Sequence, residues 1–341
     1  MFSRVVKSLG VALAASGVVA ATAAAAGPPP PTSTNGKPVQ LVASGLGTPT
    51  SFAFGGGNVF EGDGGNQQSS GPPQGGVFRL KSGTATKLPG SPNFVAGLAW
   101  HKGTLYVSGG TFASKTPKWQ LLAWSGWNGT TFTKRKVIYT APKRFTGFNG
   151  IGFGANGRLY AGVSLADNGD HGPATTPFGY DILSFKANGK DPRIVAQGIR
   201  QPWQMAFPKG SSDPFVSALG QDKGAKNPPD FVLRVHQGDD FGFPKCNWTK
   251  PSACRGFAKP FKMFSPHTDV MGLGIIGNRL YMSEFLGNKG QSGLVVSMPL
   301  HGGKPKTLLT GFVAPVVGLG VDRGYVYVGE LTGQVFRLKV S

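Results

Sequence analysis

Three carboxylates occupy one position of a repeating pattern. Asp63, Glu284 and Glu330 each stand three residues beyond an aromatic that closes a Leu-Tyr-like segment. The only glutamates in the chain are Glu61, Glu284 and Glu330, and each is expected just past the second strand of its repeat. Carboxylates converging from neighbouring repeats repel one another unless a cation sits among them. The pattern therefore predicts a site for a hard, oxygen-preferring ion such as Ca²⁺. The competing reading is that each acid accepts backbone N–H bonds in the turn after its strand. His267, just ahead of another repeat, is a candidate for proton transfer. DNGDHGP, from Asp167, has acid spacing like that of a calcium loop but lacks its later glutamate. HQGDDFGFPKCNW, residues 236–248, sets Asp239 and Asp240 between glycines and reads either as a catalytic loop or as a turn bracing a scaffold. No nucleophile elbow, phosphate-binding loop or HExxH motif occurs.

The elements that must position these residues repeat six times. Each repeat has an apolar strand, a Gly- or Asn-rich turn and a second strand, as in GLAWHKGTLYVS from Gly97 and GLGIIGNRLYMSE from Gly272. Phe60, Tyr106, Tyr160, Val216, Tyr281 and Tyr327 mark equivalent positions about every fifty residues, the period of a propeller blade. A third strand, and usually a fourth, follows each pair. The last repeat runs out at Ser341, and the spare strand from Pro38 is expected to complete it. The expected fold is all-β, a six-bladed β-propeller closed by an N-terminal strand. In an antiparallel blade the start of the inner strand and the end of the second share one edge. Arg200, Gln201, His267, Asp63, Glu284 and Glu330 are thereby expected around one mouth of the central channel.

The chain has 341 residues with 35 Lys and Arg against 15 acids, a formal charge of +20. That balance suits anionic polymers such as cell-wall glycans. The basic residues are scattered rather than clustered in runs, and nucleic acid is not expected as a partner. Residues 1–26 place Arg4 and Lys7 before a Leu/Val/Ala run ending in small residues, as in a signal peptide cleaved near Ala26. Residues 27–37 read as a flexible linker and 38–341 as a single domain. No later apolar run reaches transmembrane length, so a secreted or periplasmic, cell-envelope location is expected. Export favours a disulfide between Cys246 and Cys254, the only cysteines.

The stretch from GIRQPWQMAF at Gly198, through DFVLRVHQGDDFGFPKC at Asp230, to SPHTDVMGLGI at Ser265 resembles the soluble glucose and sorbosone dehydrogenases. These are six-bladed propellers that hold pyrroloquinoline quinone (PQQ) and calcium at the channel mouth. The resemblance implies quinone contacts at Arg200, with Gln201 beside it, and at Lys289, and it matches His267 to a histidine ahead of the fifth inner strand. The family's general-base histidine falls at Thr146, which cannot accept a sugar hydroxyl proton. The acid that orients that base falls at Leu165, with Asp167 two residues on. Three functions follow: PQQ- and calcium-dependent oxidation of a sugar hydroxyl or aldehyde on rearranged residues, non-catalytic binding of a small sugar, cell-surface glycan or protein, or a metal-dependent lactonase using the acidic trio.

Overall fold

In the computed structural model the described residues are 29–66, 71–112, 117–165, 173–221, 228–287 and 292–341. They form six antiparallel sheets arranged as the blades of a β-propeller. The inner strands are Pro49–Gly55, Phe94–His101, Phe148–Phe153, Pro202–Ala206, Val270–Ile276 and Val316–Asp322. Each contacts the inner strands on either side, and the sixth returns to the first. Gln40–Ala43 pairs antiparallel with Val335–Lys339 and supplies the fourth strand of blade six.

Local chemistry explains the repeat. The inner hairpins of blades two and six turn on two residues with positive φ, Lys102 (47°) with Gly103 (77°) and Arg323 (45°) with Gly324 (78°). Such a turn twists in the same sense as the strands it joins. The glycine opening each GL segment has a different purpose. A Cβ on Gly97 would lie 2.8 Å from Gly150 Cα, and one on Gly272 would lie 2.4 Å from Leu319 N. Inner strands of adjacent blades can approach this closely only through glycine. Serines on the second strands then stitch the seams: Ser108 Oγ donates to Asn149 O (2.7 Å), Ser217 Oγ to Met271 O (2.6 Å) and Ser283 Oγ to Val317 O (3.0 Å).

Strand pairing corrects the fourth repeat by one residue. Met205 faces Val216 as Leu98 faces Val107, so Phe215 is the equivalent of Tyr106 and the acid position falls on Ala218. The extra residues of WQMAFPKGSSDPFVSA are in the turn, where counting back from an apolar pair cannot find them. The glutamates also end or lie within the second strands Asn58–Asp63, Arg279–Glu284 and Tyr325–Glu330 rather than beyond them.

Two segments add strands where the sequence suggested connectors. Thr32–Ser33, inside the tract read as a linker, pairs with Lys306–Thr310 of blade five, and Thr34 N donates to Leu308 O (2.9 Å). Asp239–Asp240 joins the outer strand Arg193–Gln197 of blade three in parallel. HQGDDFGFPKCNW therefore links blade four back to blade three. Asp240 Oδ1 accepts Gly242 N (2.8 Å) and its Oδ2 accepts Gln197 Nε2 (3.0 Å), while Phe243 packs edge-on against Tyr180. A disulfide joins Cys246 to Cys254, both buried. Closing a loop this short constrains the unfolded chain by about 2–3 kcal/mol. The Cys246→Ser/Cys254→Ser variant should lose that much stability in urea titrations, and reductant should lower the wild-type midpoint but not the variant's.

Candidate functional site

The three aligned acids sit on one side of the ring, in blades five, six and one, but the structure gives them different surroundings. Asp63 is saturated: its Oδ2 accepts Gly47 N (2.7 Å) and its Oδ1 accepts Gly65 N (2.6 Å), with Thr48 N also donating. Burial still raises its pKa, and these amides hold it back. Glu330 accepts Thr332 Oγ1 (2.5 Å) and amides of Ala314 and Val313. In blade one, then, the acid clamps the chain entering its blade; in blade six Glu330 keeps Oε2 buried without a hydrogen-bond partner.

Blade five departs from this scheme. The amide of Asp269 goes instead to Asp230 Oδ2 (2.8 Å), whose Oδ1 takes Gly220 N (2.6 Å) from blade four. Glu284 is 1% exposed with Oε2 unpartnered, and burial pushes its pKa up to about 7. Alongside, His267 (φ 62°) and Asp269 (φ 48°) are both left-handed around Thr268, a fully buried residue whose hydroxyl finds no acceptor. Left-handed non-glycine residues in succession are strained, and such strain gathers at functional sites. This loop and Glu284 are the part of the acid-and-histidine expectation with the surroundings of a working site.

The channel itself is closed by side chains. Gln204, where most blades have the inner glycine, reaches from blade four across the channel and donates to Ala96 O (3.0 Å) and Thr50 O (3.3 Å) of blades two and one. Above it Trp203, Met271 and Val317 pack together from blades four, five and six, with half-buried Leu219, Phe285 and Leu331 against them. The mouth thus has an apolar floor. Around its edge stand half-buried Gln201 and Asp269, and His267 is exposed.

Arg200 is buried, its guanidinium donating to the carbonyls of Gly220 and Leu219. It lines a small pocket of about 30 Å³ between blade four and the disulfide excursion, together with Gln221, Asn247 and Trp248. Asn247 Nδ2 donates to Gln221 Oε1 (2.8 Å), and Trp248 Nε1 is buried without a partner. Thr146, at the family's base position, gives its hydroxyl to Ser164 O (3.1 Å). Leu165 packs with Tyr180 in a small apolar cluster. Asp167 and Lys289 lie outside the described residues.

A PQQ–calcium pair would need cations aimed into open space at the mouth and several oxygen ligands brought together. Among the described residues no three His, Cys, Asp or Glu side chains are grouped to hold a metal ion. The mouth is floored by hydrocarbon, and Asp63 is committed to the backbone. The described residues do not fit that pair.

Besides Asp230, two buried acids were passed over as site candidates by sequence reasoning. Asp181, at the start of blade three's third strand, is raised to about 6, first by burial and then by the neighbouring Asp240. Glu61 is fully buried, neither oxygen has a side-chain partner, and its pKa is raised well above the usual range by burial and by Asp63, with only the Thr50 amide holding it back. The signal for Glu61 was available in the repeat. Its equivalents are Val107, Ala161, Val216, Met282 and Val328, all 0% exposed.

No protein-family model matches the sequence, and no curated protein does. Solved structures do match the fold. The PQQ-bound aldose sugar dehydrogenase of Streptomyces coelicolor superposes with a TM-score of 0.69 at 17% identity, over 91% of this chain and 100% of that one. An oxidoreductase described as a glucose dehydrogenase, from Thermus thermophilus, gives 0.67 at 18% identity, over 89% and 99%. A Trichoderma reesei member of carbohydrate-active enzyme family AA12 gives 0.69 at 16% identity, over 91% and 98%. At these identities the likeness establishes the architecture: over essentially its whole described length, this chain has the six-bladed fold of those enzymes.

Proposed function

We propose that the protein is an exported, sugar-recognising propeller built on the sugar-dehydrogenase scaffold and lacking that scaffold's preassembled quinone and calcium centre. The observation that carries this reading is the channel mouth. An apolar floor of Leu219, Phe285 and Leu331 is rimmed by Gln201, His267 and Asp269. A sugar ring offers the complementary surface, C–H faces bordered by hydroxyls, and ligand sites commonly combine an apolar lining with a few placed polar groups. Export is supported by the Leu/Val/Ala-rich start of the sequence and by the disulfide, which suits an oxidising compartment. Among the described residues no helix is long and apolar enough to cross a membrane.

Calorimetric titration with a panel of aldoses tests the reading. At least one aldose should bind, and Phe285→Ala and His267→Ala should each weaken it about tenfold, roughly the loss of one good contact at 1.4 kcal/mol. Failure of every sugar to bind would remove the proposal. The rival reading is quinone-dependent oxidation with Arg200, Gln201 and Lys289 at the cofactor and His267 and Asp167 in catalysis. It is favoured by the PQQ-bound neighbour. Dye reduction by an aldose after reconstitution with PQQ and calcium would establish that rival and overturn the non-redox part of the proposal.

A further inference from the structure

On the face opposite the mouth, an open groove of about 590 Å³ runs between the outer strand of blade two and the third hairpin of blade three. It follows Phe132–Thr140, the free edge of its sheet. Lys134 and Lys136 stand opposite Ser125 and Ala123 and share one side of the strand, the side that lines the groove. Two residues along a strand place these lysines about 7 Å apart. Arg135, between them, also borders the groove and donates to the Pro89 carbonyl of blade one.

The far wall is Ala187 and Asn188, at the tip of the Lys186–Lys190 turn. Lys186 N donates to Lys190 O (2.8 Å) and Gly189 N to Lys186 O (2.8 Å), which sets the two lysines side by side. The turn is seated on blade two: a Cβ on Gly189 would lie 2.1 Å from Ile138 O, so the spacing between the walls is fixed by backbone contact. All four lysines are exposed, and none is ion-paired with a described residue. Thr104, Ser125 and Asn188 place hydroxyl and amide groups between them.

From this geometry we propose that the groove binds an acidic polysaccharide, an extended chain bearing carboxylates or sulfates at regular intervals. Lysines on an edge strand also discourage edge-to-edge pairing, but that role requires no second pair of exposed lysines in a turn seated against the same strand. The small polar lining suits sugar hydroxyls. A single-stranded nucleic acid site would offer exposed aromatics for bases to stack on, and the groove's one aromatic, Tyr106, is buried. The site is separate from the channel mouth and does not depend on the sugar reading made there.

Affinity chromatography and calorimetry with polygalacturonate and dextran sulfate test it, with neutral dextran as the control. The wild type should bind a charged polymer and ignore the neutral one, with affinity falling as salt rises. Lys134→Gln/Lys136→Gln should weaken binding at least tenfold. Lys304→Gln/Lys306→Gln, an equal change of charge at exposed positions on blade five, should leave it within twofold. Equal losses from the two variants would mean that net charge alone attracts the polymer and would overturn the proposal. Tighter binding to a single-stranded oligonucleotide or to phosphatidylserine vesicles would overturn it in favour of that partner. Loss of aldose binding in Phe285→Ala with polysaccharide binding intact would confirm that the two sites are distinct.

Discussion

Glu61→Met should raise the unfolding midpoint by about 5 °C at pH 8 and by less at pH 5. Glu61 lies on the second strand of blade one at the position that is apolar in the five other blades, and Met282 holds it in blade five. Strand alternation puts Glu61 on the same side as Val59, which packs with Tyr327 and Val335 of blade six. The carboxyl is thus embedded in the seam where the ring closes. A buried acid without adequate partners destabilises the fold by about 1–3 kcal/mol, and methionine fills a similar volume without that penalty. The sign of the pH effect follows from the raised pKa. Folded Glu61 keeps its proton after the unfolded chain has lost its own, so stability declines as pH rises above the unfolded value of 4.5. Methionine does not titrate, and the gain therefore grows with pH. Calorimetric scans at the two pH values measure it. An unchanged or lowered midpoint at pH 8 would mean that the seam supplies Glu61 with a partner strong enough to offset its burial.

The repeat was legible because propeller blades use local rules. A two-residue turn, a glycine at the crowded inner strand and an alternating second strand recur in nearly the same order. What the sequence hid is non-local. The equivalence of Phe215 depended on strand pairing, because the turn of blade four has a different length. The docking of Asp239–Asp240 onto blade three depended on an edge left open four strands earlier. The same limit applies to the acidic trio. Asp63, Glu284 and Glu330 are identical by spacing, yet two have backbone amides within reach and the third does not. That difference is set by the path of each incoming connection: Gly47 and Thr48 in blade one, and Val313 and Ala314 in blade six, present their amides, whereas the His267–Asp269 stretch, left-handed at both ends, gives an amide to Asp230. Arg200 was recognisable from GIRQPW, but its commitment to the Leu219 and Gly220 carbonyls was not, since those acceptors come from the far end of the neighbouring strand.

Glu284→Gln should flatten the dependence of stability on pH between about 5 and 8. Burial raises the Glu284 carboxyl from 4.5 to about 7. With 1.36 kcal/mol per pKa unit, this one group withdraws about 3 kcal/mol from the folded state across that window. The direction is fixed by the shift: stability is fully present below pH 4.5, where both states are protonated, and is lost as pH rises towards 7. Asp181, raised to about 6, adds a decline of the same sign over the lower part of the range. Wild-type protein should therefore be most stable in mild acid. Glutamine retains the shape and cannot ionise, so the variant should match the wild type near pH 5 and exceed it at pH 8. Urea unfolding at a series of pH values gives both curves, and parallel curves would mean that Glu284 ionises normally in the folded protein. Calcium added at pH 8 separates the remaining alternative. If it stabilises the wild type and the gain disappears in Glu284→Gln, the carboxylate is a metal ligand after all. If it stabilises neither, Glu284 is a buried acid poised near neutrality beside the strained His267–Asp269 loop, where a proton can be given or taken at the edge of the sugar-binding mouth.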